Sequence, residues 1–437
     1  MKNSIWENGV AMPAFPSMTH NLKTDVLIVG GGMAGLLCAY HLARQGVDYT
    51  LIEGGKICGG ITKDTTAKIT SQHGLIYHKL LQMHGQEIAR KYWEANEAAI
   101  GAYRELAKTI DCDFMQADNY IYSKDNLQEL EAEKEALDKL GIPADLIKET
   151  QLPFPVKGAV CFRNQAQFHP LKFAAALAKK LNIYEHTPVR EFHDNRAITD
   201  YGTITAEKII ITTHFPLLNK HGGYFLKLYQ QRSYVLALEN AQRLEGMYLD
   251  AATDGLSFRM AGDLLLLGGG GHRTGKKGGG WEELEAFAKK HYPNTKEVCR
   301  WATQDCISLD GIPYIGRYGR NTPNLFVATG FNKWGMTSSM VAAVLLCDLV
   351  QGRENGYASV FSPQRRTLRK QLFCNIWEST ANLLTLRRPR CPHLGCALQW
   401  NPRERSWDCP CHGSRFDEKG KVLDNPATAD LNRRPHI

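Results

Sequence analysis

No apolar run in this sequence approaches the ~20 residues needed to cross a bilayer; stretches such as Val26–Val29 and Val341–Leu346 are a fraction of that length. The N-terminus, Met1-Lys2-Asn3-Ser4-Ile5-Trp6-Glu7, lacks the apolar core and small-residue cleavage site of a secretory signal. The cytoplasm is therefore the expected compartment, with no membrane span. Charge of one sign is not concentrated either. Lys and Arg number 53 against 45 Asp and Glu, a formal +8, and they are dispersed, where a nucleic-acid protein gathers them into a stripe. The short run Arg387-Arg388-Pro389-Arg390 reads as a solvated linker, and no nucleic-acid partner is expected. Internal repeats and low-complexity tracts are also missing. What is left is a globular chain of 437 residues, 43% hydrophobic, long enough for two or three domains.

The first local signal is a strand, Asp25–Val29, that runs into Gly30-Gly31-Gly32-Met33-Ala34-Gly35 and then a helical stretch from Leu36 to Gln45. Gly30, Gly32 and Gly35 have the G-x-G-x-x-G spacing: a tight turn, close backbone approach to a pyrophosphate, and close helix–strand packing, with the phosphates at a helix N-terminus. A second strand, Tyr49–Ile52, ends at Glu53, 18 residues past Gly35. An acidic residue there accepts hydrogen bonds from ribose hydroxyls. A structural glycine turn would need none of these neighbours, so the unit is read as dinucleotide-binding. Helical periodicity over 76–110 and 124–140 predicts surface helices inserted into this domain. Residues 224–270 alternate apolar and polar and predict antiparallel strands.

Beyond the glycine turn lie the loop Gly59-Gly60-Ile61-Thr62-Lys63-Asp64-Thr65-Thr66-Ala67-Lys68-Ile69-Thr70 and the late blocks Asp310-Gly311-Ile312-Pro313-Tyr314-Ile315-Gly316 and Ala328-Thr329-Gly330-Phe331. Together with Gly30–Gly35 and Glu53 they resemble the D-amino-acid-oxidase/glycine-oxidase superfamily of FAD enzymes over roughly residues 20–365. The resemblance implies an extended FAD, with adenosine on the N-terminal glycine turn and the flavin against the late helix start. The cofactor set it implies is Gly30, Gly32, Ala34, Gly35, Glu53, Thr65, Thr66, Ala67, Val189, Gly330, Gly335, Met336 and Thr337. A helix N-terminus beside the flavin would stabilise the negative charge of its reduced form. The resemblance also implies a small-molecule substrate of the amine or amino-acid class; no complete family motif for its carboxylate is present, and the sequence offers Lys68, Arg232, Tyr234 and His272 as candidate catalytic residues. Arg273, Lys333 and Trp334 are further candidates to line the site. Cys306 precedes Asp310 at a spacing unlike that of covalent flavin attachment, which is not expected.

Eight of the twelve cysteines are scattered, but Cys391, Cys396, Cys409 and Cys411 fall within 21 residues. The segments read C-P-H-L-G-C at 391–396 and C-P-C-H-G-S at 409–414. Each offers a thiolate and an imidazole. Such a set suits a 2Fe–2S centre with two Cys on one iron and two His on the other; it also suits tetrahedral zinc. Zinc leaves the two further cysteines, and the Pro and Gly in both loops, without a reason. The paired loops resemble Rieske proteins. That resemblance implies Cys391, His393, Cys409 and His412 as ligands, and a disulfide between Cys396 and Cys411. A usual Rieske domain has several strands before its first ligand loop. Here about 25 residues, more helical than strand-like, separate Arg366 from Cys391, so the module is short and the flavin domain is expected to help support it.

The expected architecture is α/β (α+β overall): a Rossmann-like FAD-binding domain with an antiparallel substrate-side sheet, plus a small, shortened all-β Rieske module. Its parts are an arm at 1–23; an oxidoreductase at 24–365, with FAD-binding parts near 24–75, 160–220 and 300–350, a substrate part near 221–299 and a helical insert near 76–150; a linker at 366–388; and the module at 389–437. Three functions fit. The favoured one is a dehydrogenase that passes electrons singly through the cluster to a redox partner protein, with exposed histidine ligands as the exit. The others are an electron-transfer or redox-sensing protein without turnover, and an oxidase using dioxygen with a structural cluster. Ser414 stands where high-potential Rieske proteins keep a hydroxyl donor to the cluster, whereas the Tyr they often carry two residues on is Phe416 here. Hydrogen bonds to cluster sulfurs raise the potential. The expected midpoint is therefore below that of respiratory Rieske centres; a redox titration placing it level with them or above would contradict this.

Overall fold

The computed structural model describes residues 4–219, 221–365, 369–385 and 388–431. The first three residues of the expected arm, 366–368 and 386–387 of the expected linker, and the end of the C-terminal module lie outside these.

Leu22–Val29 is buried without interruption from Val26 onward, as a strand covered on both faces must be. It pairs in parallel with Gly202–Ile211 on one side and Tyr49–Ile52 on the other. Leu325–Thr329 and Ile183–Tyr184 extend the parallel set outward, and Tyr314–Arg317 closes one edge. Helix Met33–Arg44 packs on helix Gly335–Val350 over this sheet; the latter is buried along most of its length. The consequence for function is topological. The chain returns to one sheet from points far apart in sequence, so Gly30, Glu53, Thr212 and Gly330 all emerge at the C-terminal ends of neighbouring strands, where ligands bind in open α/β sheets.

The second sheet is antiparallel for the most part and centres on two long strands, Leu228–Glu239 and Lys296–Ser308, with Leu264–Arg273 beside the first. Ser257–Ala261, Met247–Asp250, Met115–Ser123 and Gly158–Gln167 continue it. The insert expected to be helical is only partly so. Tyr77–Ala107, kinked at Gly85 where the backbone leaves the helical region, and Leu127–Leu140 are helical, but Met115–Ser123 between them is a strand, with the β-favouring run Tyr120-Ile121-Tyr122 and Tyr120 stacked on Tyr248 at 4.7 Å. The expected arm is fastened down: Trp6 is 3% exposed and its Nε1–H donates to Thr65 O at 2.7 Å.

The third sheet is small: Gln399–Asn401, Ser406–Asp408, Arg415–Asp417 and Val422–Asp424, all antiparallel. In place of further strands, helix Lys370–Leu384 precedes it. Among the described residues no helix is long and apolar enough to cross a membrane.

Candidate functional site

A cavity of about 800 Å³ opens at the C-terminal edge of the parallel sheet. Two helix N-termini border it, that of Met33–Arg44 beginning after Gly32 and that of Gly335–Val350 beginning after Trp334. A helix N-terminus presents backbone N–H groups that favour negative charge, although the N–H of Met33 is taken by Thr62 Oγ1 at 3.1 Å. At Gly35 an added Cβ would lie 1.9 Å from Gly30 O, so the first helix can pack this close to the turn only with glycine there. Glu53 is fixed from both sides: Gly31 N–H donates to Oε2 at 2.7 Å and Gly55 N–H to Oε1 at 2.8 Å. Burial raises its pKa, partly offset by those same backbone donors. An elongated cleft with a glycine cradle at one end and a helix start at the other fits an extended FAD. Gly30, Gly32, Ala34 and Glu53 would hold its adenosine and pyrophosphate end, and Gly330, Gly335 and Met336 its flavin end.

Thr65, Thr66, Lys68 and Val189 also line the cavity. Three members of the expected cofactor set lie behind its wall. Gly35 serves helix packing, Ala67 is fully buried beneath the loop, and Thr337 Oγ1 donates to Thr70 O at 3.2 Å. Lys333, Trp334 and Asp305 line the cavity. Burial, with Arg259 adding repulsion, lowers the Lys68 ammonium to about 7, and burial raises the Asp305 carboxyl to about 6. Cys306 does not reach the cavity, and burial pushes its thiol up to about 12, unfavourable for a nucleophile.

The expectation that Arg232 and His272 face a substrate is corrected by their placement. Alternation along Leu228–Glu239 turns Ser233 and Val235 toward the cavity and Gln230 and Arg232 to the opposite face, where the C-terminal module sits. Arg232 is 2% exposed. Its guanidinium forks onto Glu404, with Nε donating to Oε1 at 3.1 Å and Nη2 donating to Oε2. Tyr234 borders the cavity, but its hydroxyl donates to Glu404 Oε1 at 3.0 Å; His272 stacks on Tyr234 at 5.7 Å. Arg273 donates to Pro410 O at 2.9 Å and Cys411 O at 3.1 Å.

In the module, Cys396 and Cys411 are joined as a disulfide, their Cα atoms 6.7 Å apart. Cys391 and Cys409 are buried side by side, sharing a hydrogen bond that raises the first thiol and lowers the second. His393 and His412 face each other, ring centroids 4.9 Å apart and planes at 86°. His393 Nδ1 and both ring nitrogens of His412 are buried without a hydrogen-bond partner. Burial lowers the imidazoles to about 4 and about 3, so they are neutral, as ligation requires. Two converging thiols and two convergent, unpartnered imidazole nitrogens fit a 2Fe–2S cluster. Ser414 Oγ reaches the Cys391 sulfur and accepts from Ala427 N–H at 3.0 Å.

The histidines are not exposed as expected. Phe215 and Phe225 of the flavin domain stand edge-on to them, and His393 Nε2 is 2.9 Å from Asn219 Oδ1. Gln230 Nε2 donates to His412 O at 2.9 Å while its Oε1 lies 3.2 Å from Nε2 of His214, which lines the cavity. Gln304 Nε2 donates to Gly413 O at 2.9 Å. A Cβ on Gly413, whose φ is +85°, would strike Gln230 at 2.6 Å. The module also reaches round the sheet edge: Val422, Leu423, Asp424 and Asn425 line the cavity itself. Gln230, Gln304, His214, Asn219 and Glu404 carried no sequence signal. Each acts across more than a hundred residues of chain or has an ordinary sequence context.

Residues 25–349 match the family described as FAD dependent oxidoreductase, and residues 365–435 match the Rieske [2Fe-2S] domain. The chain therefore belongs to that FAD-dependent oxidoreductase family and carries a Rieske domain at its C-terminal side. YhfW of Bacillus subtilis (strain 168), named as a Rieske 2Fe-2S iron-sulfur protein, is 35% identical over 493 aligned positions, covering 98% of this chain and 97% of its own. Gamma-glutamylputrescine oxidoreductase of Escherichia coli (strain K12) is 25% identical, covering 77% of this chain and 86% of its own. The fold resembles that of glycine oxidase from Geobacillus kaustophilus, with a TM-score of 0.67 at 20% identity, covering 79% of this chain and 99% of that one.

Glu404 is the charge on which docking turns. Burial alone would raise its carboxyl, but Arg232 and Arg415 together bring it from the ordinary 4.5 to about 2. A carboxyl depressed on folding stabilises above its unfolded pKa and loses that contribution as pH falls through the folded one. Docking should therefore hold at pH 5 and above and weaken progressively as the pH falls from about 4.5 toward about 2. Glu404→Gln leaves the buried Arg232 guanidinium without its carboxylate, while Arg415 keeps Asp408 and Asp424, a cost of about 3–5 kcal/mol. The expected result is a lower thermal midpoint for loss of the cluster's visible circular dichroism, with flavin absorbance retained.

Proposed function

We propose that this protein is a dehydrogenase that oxidises an amine or amino acid at its FAD site and releases the electrons singly through its Rieske cluster. The observation that carries this reading is the shared sheet: one face of strand Leu228–Glu239 borders the flavin cavity and the other holds the cluster loops. FAD held there would supply a two-electron acceptor for the hydride of a C–H bond next to an amine nitrogen, and the cluster would supply a one-electron carrier. His214 and Gln230 form a hydrogen-bonded bridge from the cavity wall to the peptide of His412, and the aromatic contacts of Phe215 exclude water from the same gap. The ligand histidines, turned to the flavin domain, serve as the inlet for electrons rather than the exit.

The substrate class is supported by the names of the relatives, an oxidoreductase of gamma-glutamylputrescine and a glycine oxidase. Asp305 and Lys333 put one group of each charge on the cavity wall, suited to an ammonium and a carboxylate or amide. An ammonium must lose its proton before the adjacent C–H can leave as hydride. Lys68, held at about 7, can accept that proton while neutral, so activity depends on its unprotonated form.

An anaerobic screen of amines and amino acids tests this. The active compound is expected to bleach the flavin and raise the reduced-cluster EPR signal together; bleaching with the cluster left oxidised would sink the coupling. The rate of bleaching should rise with pH through about 7, following the Lys68 amine. Lys68→Met should slow it by about 10²–10⁴-fold and erase that rise. A variant that keeps the pH dependence would place the base elsewhere.

A further inference from the structure

Helix Lys370–Leu384 is built inside out. Its buried side chains are polar: Asn375 is 1% exposed and Asn382 7%. Asn375 Nδ2 donates to Leu226 O at 3.0 Å and its Oδ1 accepts from Arg273 Nη1 at 3.0 Å. Glu378 pairs with Lys276 at 2.8 Å. These contacts fix which face looks outward, and that face is apolar. Phe373 is 61% exposed, Ile376 40%, Trp377 73%, Leu383 47% and Leu384 75%. Positions 373, 376, 377, 380, 383 and 384 follow the three-and-four spacing of a single helix face. A soluble amphipathic helix points such a stripe at its own core; a contiguous exposed one marks an interaction surface.

Charge identifies the occupant. Arg369 and Lys370 open the helix, Arg388 and Arg390 follow its end, and the sequence adds Arg366 and Arg387. The only acidic residue in the helix, Glu378, is the one turned inward to Lys276. Both ends are therefore basic. A second copy paired along this face, parallel or antiparallel, would set basic end against basic end. A Trp- and Leu-bearing helix face with basic flanks instead matches what an anionic bilayer surface takes up: the apolar side chains enter the headgroup–acyl boundary and the arginines meet lipid phosphates.

We propose that this face seats the protein on an anionic membrane surface as an in-plane anchor that does not span it. The seat is next to the cluster. Gly395 of the first ligand loop lies against Leu383, with an added Cβ 3.8 Å from its Cδ2. Leu394, directly after ligand His393, is 38% exposed. With the histidines turned to the flavin domain, the loops under this helix are the side from which electrons would leave toward an acceptor in or on the bilayer. The membrane contact itself does not depend on that electron route.

Flotation of the holoprotein with vesicles tests the proposal. The protein is expected to float with vesicles of equal parts phosphatidylglycerol and phosphatidylcholine at low salt, at least ~10-fold more than with phosphatidylcholine alone, and to be released by high salt. The double variant Phe373→Glu, Trp377→Glu alters only exposed positions. It should keep its flavin and cluster spectra and lose at least ~10-fold in bound fraction. Three results would overturn the proposal: no flotation of the wild type with anionic vesicles, equal flotation with neutral ones, or unchanged binding of the double variant. A wild-type dimer that ignores vesicles and that the double variant splits into monomers would assign the face to a second copy instead.

Discussion

The Glu404 carboxylate joins the two halves of this molecule. It is buried among Arg232 and Tyr234 of the flavin domain and Arg415 of its own module. Arg415 in turn reaches Asp408 at 3.0 Å and Asp424 at 2.9 Å, so one network ties the small sheet to itself and to the large one. A module with four three-residue strands has little apolar area of its own. It is held in position by these charges, by the backbone contacts of Arg273, Gln230 and Gln304, and by helix Lys370–Leu384. The orientation of the cluster follows from the docking. Buried ion pairs are weak stabilisers but strong specifiers of arrangement, which is the role this one fills.

That arrangement gives the sheet two jobs. Period-two alternation along Leu228–Glu239 lets neighbouring residues serve different sites, Ser233 the cavity and Arg232 the module. The two cofactor sites thereby lie on opposite faces of one sheet, with Gln230 and His214 hydrogen-bonded across the gap.

What was legible in the sequence was whatever local spacing encodes. Gly30, Gly32, Gly35 and Glu53 announce a dinucleotide turn because the chemistry requires them within one strand–helix–strand unit, and the two Cys/His loops announce a cluster for the same reason. The strands at 25–29 and 49–52 and the antiparallel run within 224–270 followed from periodicity; Gly158–Gln167, Lys296–Ser308 and Met115–Ser123, the last hidden between two helices, did not. Arg232 and His272 were misread because spacing shows that they can share a surface but not what covers it; Glu404 lies 172 residues beyond Arg232. The direction of His393 and His412 was illegible too. A ligand pattern fixes which atoms converge on iron, while Phe215, Phe225 and Asn219, which decide where the rings face, stand in an unremarkable stretch far upstream.

We infer that electrons cross from the flavin cavity to the cluster within one chain. Laser-flash reduction of the flavin in the anaerobic holoprotein, followed by the appearance of the reduced cluster, tests it most directly. The rate of cluster reduction is expected to be independent of protein concentration. A rate that scales with concentration, or a cluster that stays oxidised while the flavin is reduced, would contradict the account.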